Sequence, residues 1–69
     1  MKIHADIRFK NGDINFIDLE VKYDDFSEFI DELMAKWDSF ILFNGTLEGK
    51  ERSYIIAIDQ IEYLEFGTQ

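Results

Sequence analysis

The sequence has no cysteine and no proline, a single histidine, and only 7 Lys plus Arg against 15 Asp plus Glu in 69 residues. Without cysteine the fold can use neither disulfide bridges nor thiolate zinc sites. The net charge of −8 argues against binding to nucleic acid or to anionic membranes, because both are recognised through Lys and Arg. The longest apolar runs, Phe40–Phe43 and Tyr54–Ile58, are far shorter than the ~20 residues of a transmembrane helix. Residues 1–22 show no secretory signal pattern, so a cytoplasmic location is expected.

Apolar and aromatic residues are abundant, at 46% and 16% of the chain. The length fits one domain spanning residues 1–69. A domain of this size without crosslinks usually depends on dense packing or on oligomerisation. The composition of this chain allows either dense packing or oligomerisation.

The first 22 residues predict a β-hairpin. Residues 2–10 alternate polar and apolar side chains, and Asn11-Gly12 is typical of a two-residue type I′ turn. The apolar phase of the second strand changes at Phe16-Ile17, which predicts a β-bulge there. With that bulge the expected neighbours are Ile3 with Val21, Ala5 with Leu19, His4 with Glu20, and Asp6 with Asp18.

Residues 24–37 predict an amphipathic helix that Asp24 or Asp25 can cap. Asp25 and Glu28 also have the spacing of a capping box. The apolar side chains follow helical spacing and predict a core-facing stripe. The stripe consists of Phe26, Phe29, Ile30, Leu33, Met34 and Trp37.

Strands are expected at residues 40–43, 54–58 and 61–66, with residues 44–52 as a turn or a long hairpin connection. The predicted order β-β-α-β-β-β indicates an α+β domain with a curled antiparallel sheet or a small barrel. The first two of these strands are apolar on both faces, whereas one helix covers only one face of a sheet. Either the sheet closes or a second subunit covers it, and we favour a homo-oligomer. The expected interface residues are Phe40, Phe43, Tyr54 and Ile56.

Few residues suggest chemistry. His4 is the only imidazole, on the polar face of the first strand, and no nucleophile or phosphate-binding loop accompanies it. The carboxylates lack the spacing of a calcium loop. We therefore expect no enzyme, no catalytic residue, no metal and no cofactor.

The acidic excess is confined to the second part of the chain. Residues 1–22 have no net charge, whereas residues 23–37 and 38–69 each have −4. Carboxylates on the outer helix face can lie at spacings comparable to nucleic-acid phosphates and bind a basic groove. They are Asp24, Asp25, Glu28, Asp31 and Glu32.

Three segments resemble a type of short uncharacterised protein of phages and mobile elements in Gram-positive bacteria. They are residues 9–12 (FKNG), residues 26–30 (FSEFI) followed by Trp37, and residues 56–61 (IAIDQI) followed by residues 63–65 (YLE). The closing segment is also similar to the last two strands of Sm-like barrels, although the helix here follows the second strand and RNA-binding residues have no counterpart. A phage context implies a small accessory protein that acts by binding.

Two functions are therefore predicted. The first is a phage-type inhibitor that presents the acidic helix face to a basic groove of a nucleic-acid enzyme. The second is a self-assembling structural or accessory module in which the acids only confer solubility.

Overall fold

The computed structural model describes residues 1–69 as one helix and one five-stranded antiparallel sheet. This confirms the α+β expectation and the order of the elements. The only α-helix is too short and too polar to cross a membrane. The elements are β1 (Lys2–Phe9), β2 (Ile14–Glu20), α1 (Phe26–Ala35), β3 (Phe40–Leu47), β4 (Lys50–Ala57), a 3-10 turn (Ile58–Gln60) and β5 (Ile61–Thr68).

The sheet is curled but not closed. Its strand order is β4-β3-β2-β1-β5, so β4 and β5 form the two edges. In a flat sheet these edges would lie about 19 Å apart. The segment from Ala57 to Ile61 connects the end of β4 to the start of β5 and spans at most ~14 Å. The sheet must therefore bend to bring its two edges together. β2 and β3 share a single registered pair, Glu20 with Thr46, at the point where the two hairpins diverge.

The first hairpin has a three-residue loop, so the predicted type I′ turn and the predicted bulge on β2 are both wrong. Gly12 N–H donates to Phe9 C=O at 3.0 Å, and Phe9 N–H donates to Asp13 C=O at 2.9 Å. Of Asn11 and Gly12, only Gly12 has a positive φ. The extra loop residue shifts the alternation of the whole of β2 by one. Ile17 and Leu19 therefore face the core opposite Ala5 and Ile3 in continuous register.

The type I′ turn lies instead between β3 and β4. Glu48 and Gly49 have φ of 53° and 78°, and the flanking residues Leu47 and Lys50 pair directly. Both strands therefore extend to the turn. The long connection expected over residues 44–52 is wrong.

The core lies between the inner face of the sheet and α1. Phe29 and Leu33 of the helix are buried, and Phe26 and Ile30 are half-buried, as their spacing predicts. Met34 and Trp37 are exposed by 57% and 40%, so the end of the predicted stripe is not core. Phe66 of β5 joins the helix to β3, with ring centroids 5.5 Å from Phe29 and 5.4 Å from Phe43.

Gly45 permits the close approach of β2 and β3. A Cβ atom at this position would lie 2.7 Å from the carbonyl oxygen of Glu20 and 3.0 Å from Cβ of Leu19. Real Cβ atoms do not approach a backbone oxygen so closely. The absence of a side chain at Gly45 therefore sets the position of the β3–β4 hairpin against β2, and with it the position of the surfaces described below.

Candidate functional site

The five carboxylates predicted on the helix form one exposed surface, here called the acidic helix surface. Asp25 begins the helix: its Oδ1 accepts hydrogen bonds from Ser27 N–H at 2.9 Å and from Ser27 O–H at 3.0 Å. This confirms Asp25 as the N-cap, whereas Glu28 makes no hydrogen bond back to it. All members of the surface are exposed: Asp24, Asp25, Glu28, Asp31 and Glu32.

None of these carboxylates lies within 4.0 Å of a basic group. The close ion pairs lie elsewhere: the N-terminal ammonium with Glu20 at 3.6 Å, and Arg8 with Asp6 at 3.5 Å. The acidic helix surface therefore has no close ion pair within the chain. An unpaired array of this kind can attract a basic partner over about one Debye length, or ~8–10 Å at physiological salt.

A groove of about 680 Å³ separates the end of β2 and α1 from the β3–β4 hairpin. Its apolar lining includes Val21, Phe29, Leu33 and Phe43. Three of the seven basic residues border the groove together with three carboxylates, so its formal charge is balanced. These residues are Lys22, Lys36, Arg52, Glu20, Glu32 and Glu51. Glu32 lines the groove and also belongs to the acidic helix surface. The groove is therefore a region of balanced charge next to that surface.

His4 lies opposite Asp18, not opposite Glu20 as predicted, because the register of β2 is continuous. Its Nδ1 is 2.7 Å from Asp18 Oδ1, and its ring stacks on Phe16 with centroids 6.0 Å apart. Gln69 Nε2 donates to the same carboxylate oxygen. His4 is thus held by a hydrogen bond to Asp18 and by a stacked ring on the outer face of the sheet.

A charged cluster on the outer face of β1 and β5 could not be located from the sequence. Asp6 lies beside Glu65 and Phe16, so the predicted neighbour Asp18 is wrong. The Asp6 side chain is only 14% exposed, and its Oδ1 accepts no hydrogen bond although Arg8 Nε is 3.5 Å away. The negative charge of Glu65 raises the pKa of Tyr63. These contacts depend on the pairing of β1 with β5, which no local pattern specifies.

The predicted interface residues do not share one surface. Phe43 is only 3% exposed and stacks on Tyr54 with centroids 5.3 Å apart, so its assignment to a subunit interface is wrong. Tyr54 and Ile56 are half-buried on the same inner face. Phe40 alone is exposed, at 55%. The alternation of the strand could have separated Phe40 from Phe43, because residues three apart point to opposite faces.

Comparison of the chain with protein-family models, with curated proteins and with solved structures found no match.

Proposed function

We propose that this chain is a non-enzymatic binding protein whose acidic helix surface docks onto a basic groove of a nucleic-acid enzyme. One observation supports the proposal: five exposed carboxylates lie on or beside a single helix, and none has a basic partner within 4.0 Å. Glu28 and Glu32 are one helical turn apart, about 6 Å along the axis. Such a surface presents successive negative charges on a rigid support, as a nucleic-acid backbone does.

The mechanism is competition for the groove. Long-range attraction raises the association rate, and the charges that nucleic acid would neutralise are neutralised by the helix instead. Because much of the attraction is screened by salt, binding should weaken steeply as the salt concentration rises. The phage-type inhibitor expected from the sequence would act in this way.

The test compares two triple charge reversals with the wild type. Glu28→Lys, Asp31→Lys and Glu32→Lys change the acidic helix surface. Asp38→Lys, Glu48→Lys and Glu62→Lys change three exposed acids elsewhere. Each triple adds six positive units to the net charge of −8, so both variants have −2 and only the location differs.

Immobilised wild type and both triples are incubated with nuclease-treated Gram-positive lysate at 0.05 and 0.5 M NaCl, and captured proteins are quantified by mass spectrometry. We expect a basic nucleic-acid enzyme on the wild type and the control triple, a loss of at least tenfold on the helix triple, and release at high salt. Equal capture by both triples, or capture that salt does not change, contradicts the proposal.

A second function, a self-assembling module, is favoured by a different observation. Phe40, Leu42 and Ile55 are exposed by 55%, 38% and 69%. In this case the acids only keep the protein soluble. Reversal of the helix charges should then leave the assembly intact.

A further inference from the structure

The outer face of the β3–β4 hairpin carries no charge over the half that is remote from its turn. Residues 39–47 and residues 53–58 contain no charged side chain, although the chain has 15 acidic and 7 basic residues. The two segments pair with each other, from Phe40 with Ala57 to Asn44 with Ser53. Phe40, Leu42 and Ile55 project from the outer face and are all exposed. We call this the uncharged hairpin face.

β4 also has a free edge along the same residues. The pair that flanks a two-residue turn is hydrogen-bonded, and antiparallel pairs then alternate between bonded and non-bonded. Starting from Leu47 with Lys50, this alternation makes Leu42 with Ile55 a non-bonded pair. Ile58 N–H donates to Ser39 C=O at 3.0 Å, which agrees with the alternation. The N–H and C=O groups of Ser53, Ile55 and Ala57 therefore point away from β3.

No other segment of the chain pairs with this edge. β4 is the terminal strand of the sheet. A groove of about 840 Å³ runs beside it, between Ser53–Ala57 and the residues Phe9, Asp13–Asn15 and Ile17 of the first hairpin. An exposed edge of eight residues without proline is a template for pairing with another strand.

We propose that two copies of this chain form a dimer by antiparallel pairing of their β4 strands, with the two-fold axis at Ile55. In this register Ile55 pairs with Ile55 of the second copy, and Ser53 pairs with its Ala57. All three residues have outward N–H and C=O groups, so the new pairs are hydrogen-bonded. The outer faces of the two copies become one continuous face in this register. An apolar row then runs from Leu42 and Ile55 of one copy to Ile55 and Leu42 of the other.

Charge favours this edge over β5 for self-pairing. Two chains of −8 repel each other, and the repulsion between contacting side chains is smallest where the paired residues, here 53–57, carry no charge. The edge strand β5 carries Glu62 and Glu65 and no basic residue, so its self-pairing would bring carboxylates together. The dimer contact uses no residue of the acidic helix surface, so the inference does not depend on the proposed docking of that surface; it specifies the contact of the self-assembling module.

Salt should act on the two interactions in opposite directions. Added salt screens the repulsion between two acidic chains and therefore strengthens the β4 dimer. The same salt weakens the attachment of the acidic helix surface to a basic partner. A failure of one proposal can thus be recognised without reference to the other.

The experiment is sedimentation equilibrium of the full chain from 5 µM to 1 mM in 0.05 and 0.5 M NaCl. We expect the mass to rise from 8.2 kDa to twice that value, with the midpoint at lower protein concentration in high salt. Ala57→Pro should raise the dissociation constant at least tenfold, because it removes an outward N–H at the edge. Ala57 has φ −68°, close to that of proline, so the melting temperature should not fall.

A second pair of variants tests the side chains. Ile55→Lys places two like charges at the two-fold axis and should also raise the dissociation constant at least tenfold. Met34→Lys makes the same charge change at an exposed helix position and should leave the association as in the wild type. A wild type that stays at 8.2 kDa at 1 mM in 0.5 M NaCl overturns the inference. A dimer that tolerates both Ala57→Pro and Ile55→Lys, association that weakens with salt, or an assembly larger than two chains also overturns it.

Discussion

Tyr63 shows how the pairing of two distant strands changes the chemistry of a single side chain. Tyr63 and Glu65 project from the same face of β5, and β1 places Arg8 opposite Tyr63 and Asp6 opposite Glu65. The charge of Glu65 is the main cause that raises the pKa of Tyr63 above 10.0, and the charge of Asp6 acts in the same direction. Arg8, whose guanidinium carbon is 5.8 Å from the ring centroid, opposes the change.

This environment predicts a pH dependence of stability. The folded chain resists ionisation of Tyr63 more than the unfolded chain, whose phenol titrates near 10.0. The resulting stabilisation is fully present below that pH and is lost as the pH rises through the higher pKa of the folded state. We expect Tyr63→Phe to remove this part of the loss of stability at alkaline pH. Urea unfolding between pH 8 and 12 measures the free energy of unfolding of both proteins.

Glu65→Gln is the matched test, because it removes the main charge and should lower the pKa of Tyr63 toward 10.0. Tyrosinate absorbance in wild type and Tyr63→Phe reports the titration directly. If the absorbance step assigned to Tyr63 lies at or below that of the unfolded chain, the electrostatic account is wrong.

At the scale of elements, the two hairpins show that a dipeptide does not determine a turn. Asn11-Gly12 has the sequence preferred in a type I′ turn, yet it belongs to a three-residue loop. Glu48-Gly49 forms the type I′ turn although Glu48 must adopt a φ of 53°. A left-handed conformation costs an ordinary L-residue about 1–2 kcal/mol, and Asn adopts it more readily.

We therefore expect Glu48→Asn to increase the free energy of unfolding by about 0.5–1 kcal/mol. Urea denaturation measures the change. Glu48→Gln is the control, because it removes the same charge without the preference of Asn for the left-handed region. A Gln variant as stable as the Asn variant would show that the charge, and not the backbone conformation, was responsible.

Local periodicity determined what the sequence could predict about these elements. The spacing of Phe29 and Leu33 identifies the buried row of α1, and the alternation of Ile3, Ala5 and Ile7 identifies the inner face of β1. The exposed acids of the helix follow from the same period. Strand register and order depend on loop length and on contacts between distant segments. The continuous register of β2 and the neighbours of His4 and Asp6 therefore could not be obtained from the pattern alone.

At the scale of the molecule, the fold divides the apolar residues between two faces of one curled sheet. The inner face, together with Phe29 and Leu33 of the helix, contains the ten buried residues of the core. Apolar residues of β2, β3 and β4 remain exposed on the outer face, among them Phe16, Phe40 and Ile55. The sequence predicted that the strands at residues 40–43 and 54–58 need cover on both faces. The curled sheet and the helix cover the inner face of these strands but not the outer face. Charge is divided as well, since the acidic helix surface and the uncharged hairpin face lie on different elements.

This division predicts very different losses of stability for two phenylalanines of β3. Phe43 is 3% exposed and contacts Phe66 and Tyr54, whereas Phe40 is 55% exposed. Truncation of a buried Phe to Ala costs about 3–5 kcal/mol, and a chain of 69 residues has a total stability of about 3–10 kcal/mol. Phe43→Ala should therefore unfold much of the protein at 37 °C, and Phe40→Ala should lower the free energy of unfolding by less than about 1 kcal/mol. Urea denaturation at 1 µM, where the proposed dimer is dissociated, measures both variants. Similar losses for the two variants would contradict the assignment of Phe43 to the core and of Phe40 to the outer face.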